Sequence, residues 1–381
     1  MRLLARDEDS LMRTRTISAL LTLFFLAGCS STPHSNVAAP ASRVYHGTAS
    51  VGDFMTITVD SSTQTIAYTD VSNSTAGTVP YTVNSDGMYT LNDPTGNLIA
   101  AYEVPNYAMV IQAAKTGTGS STPALITAVE SGQISLATFE GQSYNYMQFR
   151  TSSGGVDVGS VNINAQGTGS TSSYWPFGAL NSDNNSAFNS NTLDVAAAVL
   201  DPSGTFLTIP DPSNNTSDYV FGTANGIFAV DTQNGAILGL KKAASANFDA
   251  SFAGTYNAIY YEQTNVHAGS GNTEIGTPSQ GNATITVTSG GQVTVSGANG
   301  NAMALGTLTP VSAVPTLYVS GGSELQDPCN GLFTFQASSN GVQQQVFVAF
   351  MGQAMLFSSF SANTPWGSGG NYNYFYGVGL K

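Results

Sequence analysis

The chain has 381 residues, only 9% of them charged, and 23 acidic against 10 basic side chains give a net charge of −13. An acidic chain with no clustered Lys and Arg argues against nucleic-acid binding and against adhesion to anionic headgroups. Low charge alone would fit disorder, but 17 Tyr and 19 Phe argue for a packed core.

The first segment is a targeting signal. Asp7, Glu8 and Asp9 suit the charged start of a signal poorly, so Met12 is the better start, followed directly by Arg13 and Arg15. An apolar run then extends from Ile17 to Ala27 and stops at Cys29. Basic residues, an apolar stretch and small residues at a cut site are the parts of a secretory signal. The run has about eleven positions, too few for a spanning helix, which needs ~20. Its ending, Leu26-Ala27-Gly28-Cys29, resembles the lipobox of bacterial lipoproteins. That resemblance covers the first 29 residues only. It implies that residues 1–28 are removed, that Cys29 is lipidated, and that the mature chain is tethered to a membrane without spanning it. Ser30, where aspartate can retain such proteins at the inner membrane, resembles the pattern of outer-membrane lipoproteins. The competing reading is an ordinary secretory signal with an incidental cysteine. After Cys29, a stretch to residue 43 rich in Ser, Thr, Pro, Asn and Ala reads as a flexible tether.

From Val44 onward the pattern is β. Abundant Gly, Ser, Thr and Asn mixed with Val, Ile and Tyr predict an all-β fold of antiparallel sheets. Two or three β-sandwich or small-barrel units are expected, over 44–128, 129–245 and 246–381. The division rests on a loose recurrence: Tyr45-His46-Gly47, Phe139-Glu140-Gly141 and Phe252-Ala253-Gly254 each lead into a strand pattern.

Taken in order, Met55, Ile57 and Val59 alternate with Thr, and Ile66 and Tyr68 continue the same face. Val59 opposite Ile66 demands an even loop, Ser61 to Gln64. Tyr81 to Leu91 predicts a second hairpin turning at Asp86-Gly87. Tyr144 and Tyr146 share one strand face, and Trp175 follows beside Tyr174 and Phe177. Residues 191–200, "NTLDVAAAVL", fit a short helix or a buried strand, and periodicity does not separate the two. "DPSGTFLTI" (201–209) and "NGIFAVDTQNGAIL" (225–238) resemble one blade of a β-propeller, the alternative fold, although a propeller needs that signature every 40–50 residues or so. Ile285 and Val287, then Val293 and Val295, form the clearest hairpin. Pairing Val287 with Val293 requires an odd loop, Ser289-Gly290-Gly291, with Gly291 left-handed. Finally Tyr372, Tyr374 and Tyr376 share a face, with Phe375 on the other. A transmembrane barrel also alternates, but its outward faces should be apolar, and many faces here are Thr and Ser.

Chemistry is sparse. His34, His46 and His267 have no partner at metal-ligand spacing, so no metal and no cofactor are expected. No nucleophile elbow or phosphate loop occurs. Many Asp residues precede Pro or Gly, where they stabilise turns. Cys329, inside "DPCNG", reads as a turn without a cationic neighbour to activate it. The aromatic rows are the remaining candidates: exposed, Tyr144, Tyr146, Trp175, Tyr372, Tyr374 and Tyr376 would stack on a ligand such as a glycan, whereas buried they would fill a Gly-rich sheet. The expected function is that of a lipid-anchored protein of the cell envelope, at the outer membrane. Its expected role is non-enzymatic, binding a glycan or an envelope protein or serving as a scaffold. A hydrolase on a β scaffold is the alternative.

Overall fold

Three antiparallel sheets follow one another along the chain. A computed structural model describes residues 41–114, 123–150, 155–163, 168–174, 188–194, 198–211, 216–223, 226–233, 235–268, 273–274, 277–297, 302–311, 329–339, 342–361 and 371–381. Cys29, the tether up to residue 40 and Trp175 lie outside the described residues.

The first sheet is a closed barrel of β1 (Ser42–Ala49), β2 (Phe54–Asp60), β3 (Thr65–Asp70), β4 (Thr75–Val83), β5 (Tyr89–Leu91), β6 (Leu98–Val104), β7 (Ala108–Ala113) and β8 (Ala124–Glu130). Every connection is a meander, and β8 returns to pair with β1 from Tyr45↔Glu130 to Ala49↔Ile126. Val59 faces Ile66, the register expected from alternation, and the hairpin expected over 81–91 forms with Tyr81 facing Leu91. Gly87 takes the positive φ its turn requires, +84°. Inward residues such as Tyr45, Ile57, Val79 and Ile111 form the barrel's own core. On β4 the outward Ala76, Thr78, Pro80 and Thr82 are exposed, unlike the apolar outer band of a membrane barrel.

The second sheet has nine strands: β9 (Ser143–Arg150), β10 (Gly155–Ile163), β11 (Thr168–Tyr174), β12 (Phe188–Asp194), β13 (Val199–Leu200), β14 (Leu207–Asp211), β15 (Thr216–Gly222), β16 (Ile227–Thr232) and β17 (Gly235–Lys241). The segment resembling a propeller blade is the meander β14 to β17. It does not end as a four-stranded blade, because β17 pairs onward with β9 from Ala236↔Phe149 to Lys241↔Tyr144. The propeller alternative is therefore corrected. Residues 191–200 contain no helix among the described positions; they hold the end of β12 and the exposed β13.

The third sheet contains β18 (Gly254–Ala268), β19 (Thr273–Glu274), β20 (Thr277–Val287), β21 (Gln292–Gly297), β22 (Ala302–Thr307), β23 (Thr309–Pro310), β24 (Leu332–Ser339), β25 (Val342–Met351), β26 (Ala354–Ser361) and β27 (Asn371–Leu380). Its path runs β22-β21-β20-β18-β27-β26-β25-β24-β23, with β19 paired only to β18. The hairpin expected over 283–297 forms as read: Val287 faces Val293, and Gly291 has φ +76°.

Each sheet turns one face to a core of its own. The opposite faces meet in a shared core, where Phe54 and Val110 of the barrel join Met147 and Phe149 of the second sheet and Tyr376 and Val378 of the third. Phe149 stacks on Tyr376 with centroids 4.4 Å apart, and Phe54 stacks on Tyr219 at 4.4 Å. Tyr107 Oη of the loop before β7 donates to the carbonyl of Met351 at 2.8 Å, fastening the barrel to the third sheet. Among the described residues no helix is long and apolar enough to cross a membrane.

Candidate functional site

The aromatic rows are core. Tyr144 and Tyr146 are 3% and 5% exposed and pack in the second sheet's own core, where Tyr144 stacks on Phe228 at 5.1 Å. Tyr374 and Tyr376 are fully buried in the shared core. None of these four rings presents a face to solvent, so as an exposed stacking row they are corrected. The cause is that β27 is buried on both faces: Tyr374, Tyr376, Val378 and Leu380 point one way, while Phe375, Gly377 and Gly379 point the other. Tyr372 lies in β27, opposite Val266, but nothing of its side chain is described.

The glycines on β27 open a different site. A Cβ on Gly377 would lie 2.3 Å from the Phe357 ring, and one on Gly379 would lie 2.9 Å from Met355 Cε. Lacking them, the inner face of the third sheet admits large side chains from β26 and the sheet curls. Its edge strand β22 reaches β24 without a ladder between them: a Cβ on Gly306 would meet Phe335 Cδ2 at 2.9 Å. The curled sheet encloses a cavity of about 250 Å³.

The lining follows from strand alternation. β18 sends Tyr260 and Glu262 inward, and β20 and β21 send Ile285, Val293 and Val295. β22 contributes Met303 and Leu305, and β24 to β26 contribute Phe335, Gln344, Val346, Val348, Met355 and Phe357. Ala283, Gly297 and Ala337 are the small residues on this surface, and they leave space that larger side chains would fill.

Beyond the lining, past Val348 and Phe335, the sheet's inner face continues as a packed aromatic cluster. Phe252 stacks on Phe350 at 5.4 Å, and Phe248 meets Phe333 edge-on at 5.5 Å. Asp249 caps the short 3-10 turn Ala250–Phe252 by accepting from Ser251 N–H. Tyr256 Oη donates to Phe252 O at 2.7 Å, and Lys381 Nζ donates to Ser251 O and Ala253 O at 2.7 and 3.0 Å while lying over the Tyr256 ring. The other end of the cavity lies toward Glu262, six residues beyond Tyr256 on β18, and toward Gln344 of β25. Gly297 is exposed there, and Met303, on the neighbouring strand, is 52% exposed. Burial, together with the charge of Glu262, raises the Tyr260 phenol above its ordinary pKa, so it stays a neutral hydroxyl at neutral pH. Glu262 faces Ser279 across the ladder, and Ser279 Oγ lies 3.5 Å from its Oε2.

Two other polar centres were missed in the sequence. Inside the barrel, Arg43 Nε and Nη2 donate to Glu103 at 2.6 and 2.8 Å, and the hydroxyls of Tyr45 and Tyr89 donate to the same carboxylate at 2.5 and 2.6 Å. Burial and the Glu103 charge raise both phenols. All four groups are buried and their charges are matched, which makes a structural plug rather than a reactive site. The available signal was Arg43 two positions before Tyr45, on one strand face, in a chain with only 10 basic residues.

The second centre lies where the barrel meets the second sheet. His46 Nε2 pairs with Thr205 Oγ1 at 2.8 Å and Ser131 Oγ at 3.0 Å, beside the rings of Phe54, Phe206 and Phe221. Burial lowers its pKa to about 4, against the weaker pull of Asp201. Two residues along β1, Thr48 Oγ1 donates to the buried Asp231 at 2.5 Å. Burial pushes the Asp231 carboxyl up, and the nearby Asp53, Asp218 and Asp70 add to the shift. His267 pairs with Glu274 and with Asn371 in the ladders, and nothing of its side chain is described. Among the described residues no cluster of His, Cys, Asp or Glu could hold a metal ion. Cys329 is a buried thiol in the shared core, at a turn closed by Leu332 N–H on its carbonyl.

No protein-family model and no curated protein matches the sequence. Among solved structures, the chain is similar to a double mutant of transferrin-binding protein B from Haemophilus parasuis Hp5, at 10% identity, over 89% of this chain and 76% of that one, with a TM-score of 0.28. Transferrin-binding protein B from serogroup B Neisseria meningitidis gives 11% identity over 87% and 66%, with a TM-score of 0.26. A protein of unknown function from the DUF3598 family, from Nostoc punctiforme, gives 11% over 66% and 100%, with a TM-score of 0.23. Overlaps this weak identify neither a ligand nor a partner.

Proposed function

We propose that this chain is a lipid-anchored, non-enzymatic binding protein of the cell envelope, and that the cavity of the third sheet is its ligand site. One observation carries the reading: a curled, seamed sheet holds an apolar cavity of about 250 Å³, lined by aliphatic side chains and the rings of Phe335 and Phe357, with an exposed rim at Met303. Ligand sites are concave, mostly apolar and marked by a few polar groups. At this volume the occupant is a slender apolar group such as a single acyl chain. Glycan stacking loses its support, because four of its candidate rings are core. A hydrolase gains none from the cavity, whose described lining holds one carboxylate, Glu262, and no histidine. The anchor rests on the lipobox-like ending at Cys29, with the outer membrane as the expected location.

The test uses the full chain carrying Cys29→Ser, so that no anchor competes for the cavity. The uncharged probe N-phenyl-1-naphthylamine should bind saturably, one per chain. Val295→Trp and Leu305→Trp, each filling the cavity from a different strand, should abolish binding while leaving the β circular dichroism in place. Non-saturable binding, or binding undiminished by both variants, rejects the site. Protease shaving of intact cells tests the anchor: Cys29→Ser should release the protein from the membrane, and unchanged retention rejects lipidation.

A further inference from the structure

We propose that the ligand is a single-chain amphiphile whose head is a primary ammonium, held at the cavity mouth by Glu262 with its tail along the apolar lining. The inference rests on the cavity being the ligand site, and adds the chemistry of the head.

The cavity is asymmetric from end to end. Its lining offers Val, Leu, Ile and Met with the rings of Phe335 and Phe357, and it runs toward the packed aromatic cluster of the sheet's core. The hydrogen-bonding residues of the lining are Tyr260 and Glu262 of β18, Asn282 of β20 opposite Ile259, and Gln344 of β25, whereas the stretch toward Ile285, Val348 and Met355 is apolar. A ligand with one apolar end and one polar end therefore has a single favourable orientation.

The polar end also has a sign. Among the described residues Glu262 is the one carboxylate on the wall, and no described Lys, Arg or His accompanies it. Glu262 is half-exposed at the edge of an apolar lining, so water solvates it while the cavity is empty, and a ligand that covers it must replace that solvation. The neighbouring Ser279 hydroxyl approaches at 3.5 Å, at the limit of a hydrogen bond, and so compensates little. An ammonium would supply both the opposite charge and strong donors. Its other donors would meet the Tyr260 hydroxyl on the same wall, while the buried Gln344 Oε1 already accepts from Ser359 Oγ at 3.3 Å. The net charge of −13 adds a field that attracts cations and repels carboxylates. An alkanol would gain the apolar contacts alone, and an alkanoate would set a second carboxylate beside Glu262.

Displacement of N-phenyl-1-naphthylamine from the full Cys29→Ser chain by decylamine, decanol and decanoate at pH 7 and low salt tests this. Decylamine should displace the probe at least tenfold more tightly than decanol, and decanoate more weakly than decanol. The ratio of amine to alcohol should fall toward one in Glu262→Gln, and in the wild type it should shrink as salt is raised. The salt series holds even if the variant folds poorly. Equal binding of amine and alcohol, or a ratio indifferent to both Glu262→Gln and salt, overturns the ammonium assignment while leaving the cavity as an apolar site. Failure of all three ligands and of the probe to bind instead removes the cavity reading itself.

Discussion

The barrel and the third sheet start from similar material and end differently. Both are antiparallel sheets with Gly and Ala on inward faces, although strands reach 15 residues in the third sheet and no more than nine in the barrel. In the barrel the ladder closes, β8 onto β1, and the interior is filled by side chains and by the Arg43–Glu103 pair with two tyrosines. In the third sheet the ladder never closes, β22 rests on β24 across a seam, and the interior keeps an open cavity. Closure alone does not decide whether a curled sheet binds something. On the proposed reading, what separates them is whether the inward polar groups are matched to one another. Glu103 accepts four hydrogen bonds from three partners. Glu262 has a wall position and a distant serine hydroxyl.

The largest expected effect tests that contrast directly. Glu103→Leu strands Arg43 inside the barrel without its counter-ion, and removing one partner of a buried pair costs about 3–5 kcal/mol. Glu262→Leu removes a half-exposed carboxylate from an apolar wall, and should change stability by no more than ~0.5 kcal/mol. Denaturant unfolding of the two variants should place their midpoints far apart. Adding Arg43→Met to Glu103→Leu should recover most of the loss, since an apolar replacement of the whole pair is often neutral. Equal losses at the two glutamates would erase the distinction between plug and site.

The local half of this contrast was legible in the sequence and the global half was not. Val287 opposite Val293, Val59 opposite Ile66 and the left-handed Gly291 follow from two-residue periodicity and turn chemistry, both of which act within a dozen residues. The role of the tyrosines on β27 did not follow, because a strand buried on both faces has no polar side to orient it. Tyr374 and Tyr376 alternate with Phe375 and then with Gly377 and Gly379. Only the neighbours assigned by topology show that the glycine side receives Phe357 while the tyrosine side meets Phe149. Glu103 and Glu262 look alike in sequence, each an acid within an apolar and aromatic strand. Their difference lies in partners distant in sequence: Arg43 for one and none so close for the other.

A smaller effect tests the junction between the barrel and the second sheet. His46 titrates near 6.5 when unfolded and at about 4 when folded, so the unfolded state binds the extra proton between those values. Stability should fall as pH drops through that window, by about 3 kcal/mol once pH reaches 4. Urea midpoints from pH 7.5 to 4 measure it, and His46→Asn should flatten that slope. An unchanged slope in the variant would mean that His46 is not the titrating group.

Asp231, two residues along β1 through Thr48, slopes the other way. Its folded pKa is raised, so its ionised form burdens the native state above that value, and the burden lifts as pH falls. Asp231→Asn keeps an acceptor for Thr48 and should stabilise the protein at pH 8 by about 1 kcal/mol. The gain should vanish toward pH 4. A loss at pH 8 instead would show that the carboxylate charge is compensated at that junction as it is at Glu103.

The smallest effect on stability is the sharpest on function. Met303 at the cavity rim and Val83 on the barrel's outer face are both 52% exposed. Half-exposed apolar residues away from a core feature change stability by about 0.5 kcal/mol or less when replaced. Met303→Gln and Val83→Gln should therefore unfold together with the wild type. Only the first touches the cavity, and Gln keeps the length of Met while placing an amide where an alkyl chain would slide in. N-phenyl-1-naphthylamine binding should weaken by about the value of one lost apolar contact, roughly 0.8 kcal/mol or three- to fourfold, in Met303→Gln. It should be unaltered in Val83→Gln. Two variants matched in exposure and stability but split in binding would assign the ligand to the seamed sheet rather than to the closed one, and no difference between them would leave the rim without a part in recognition.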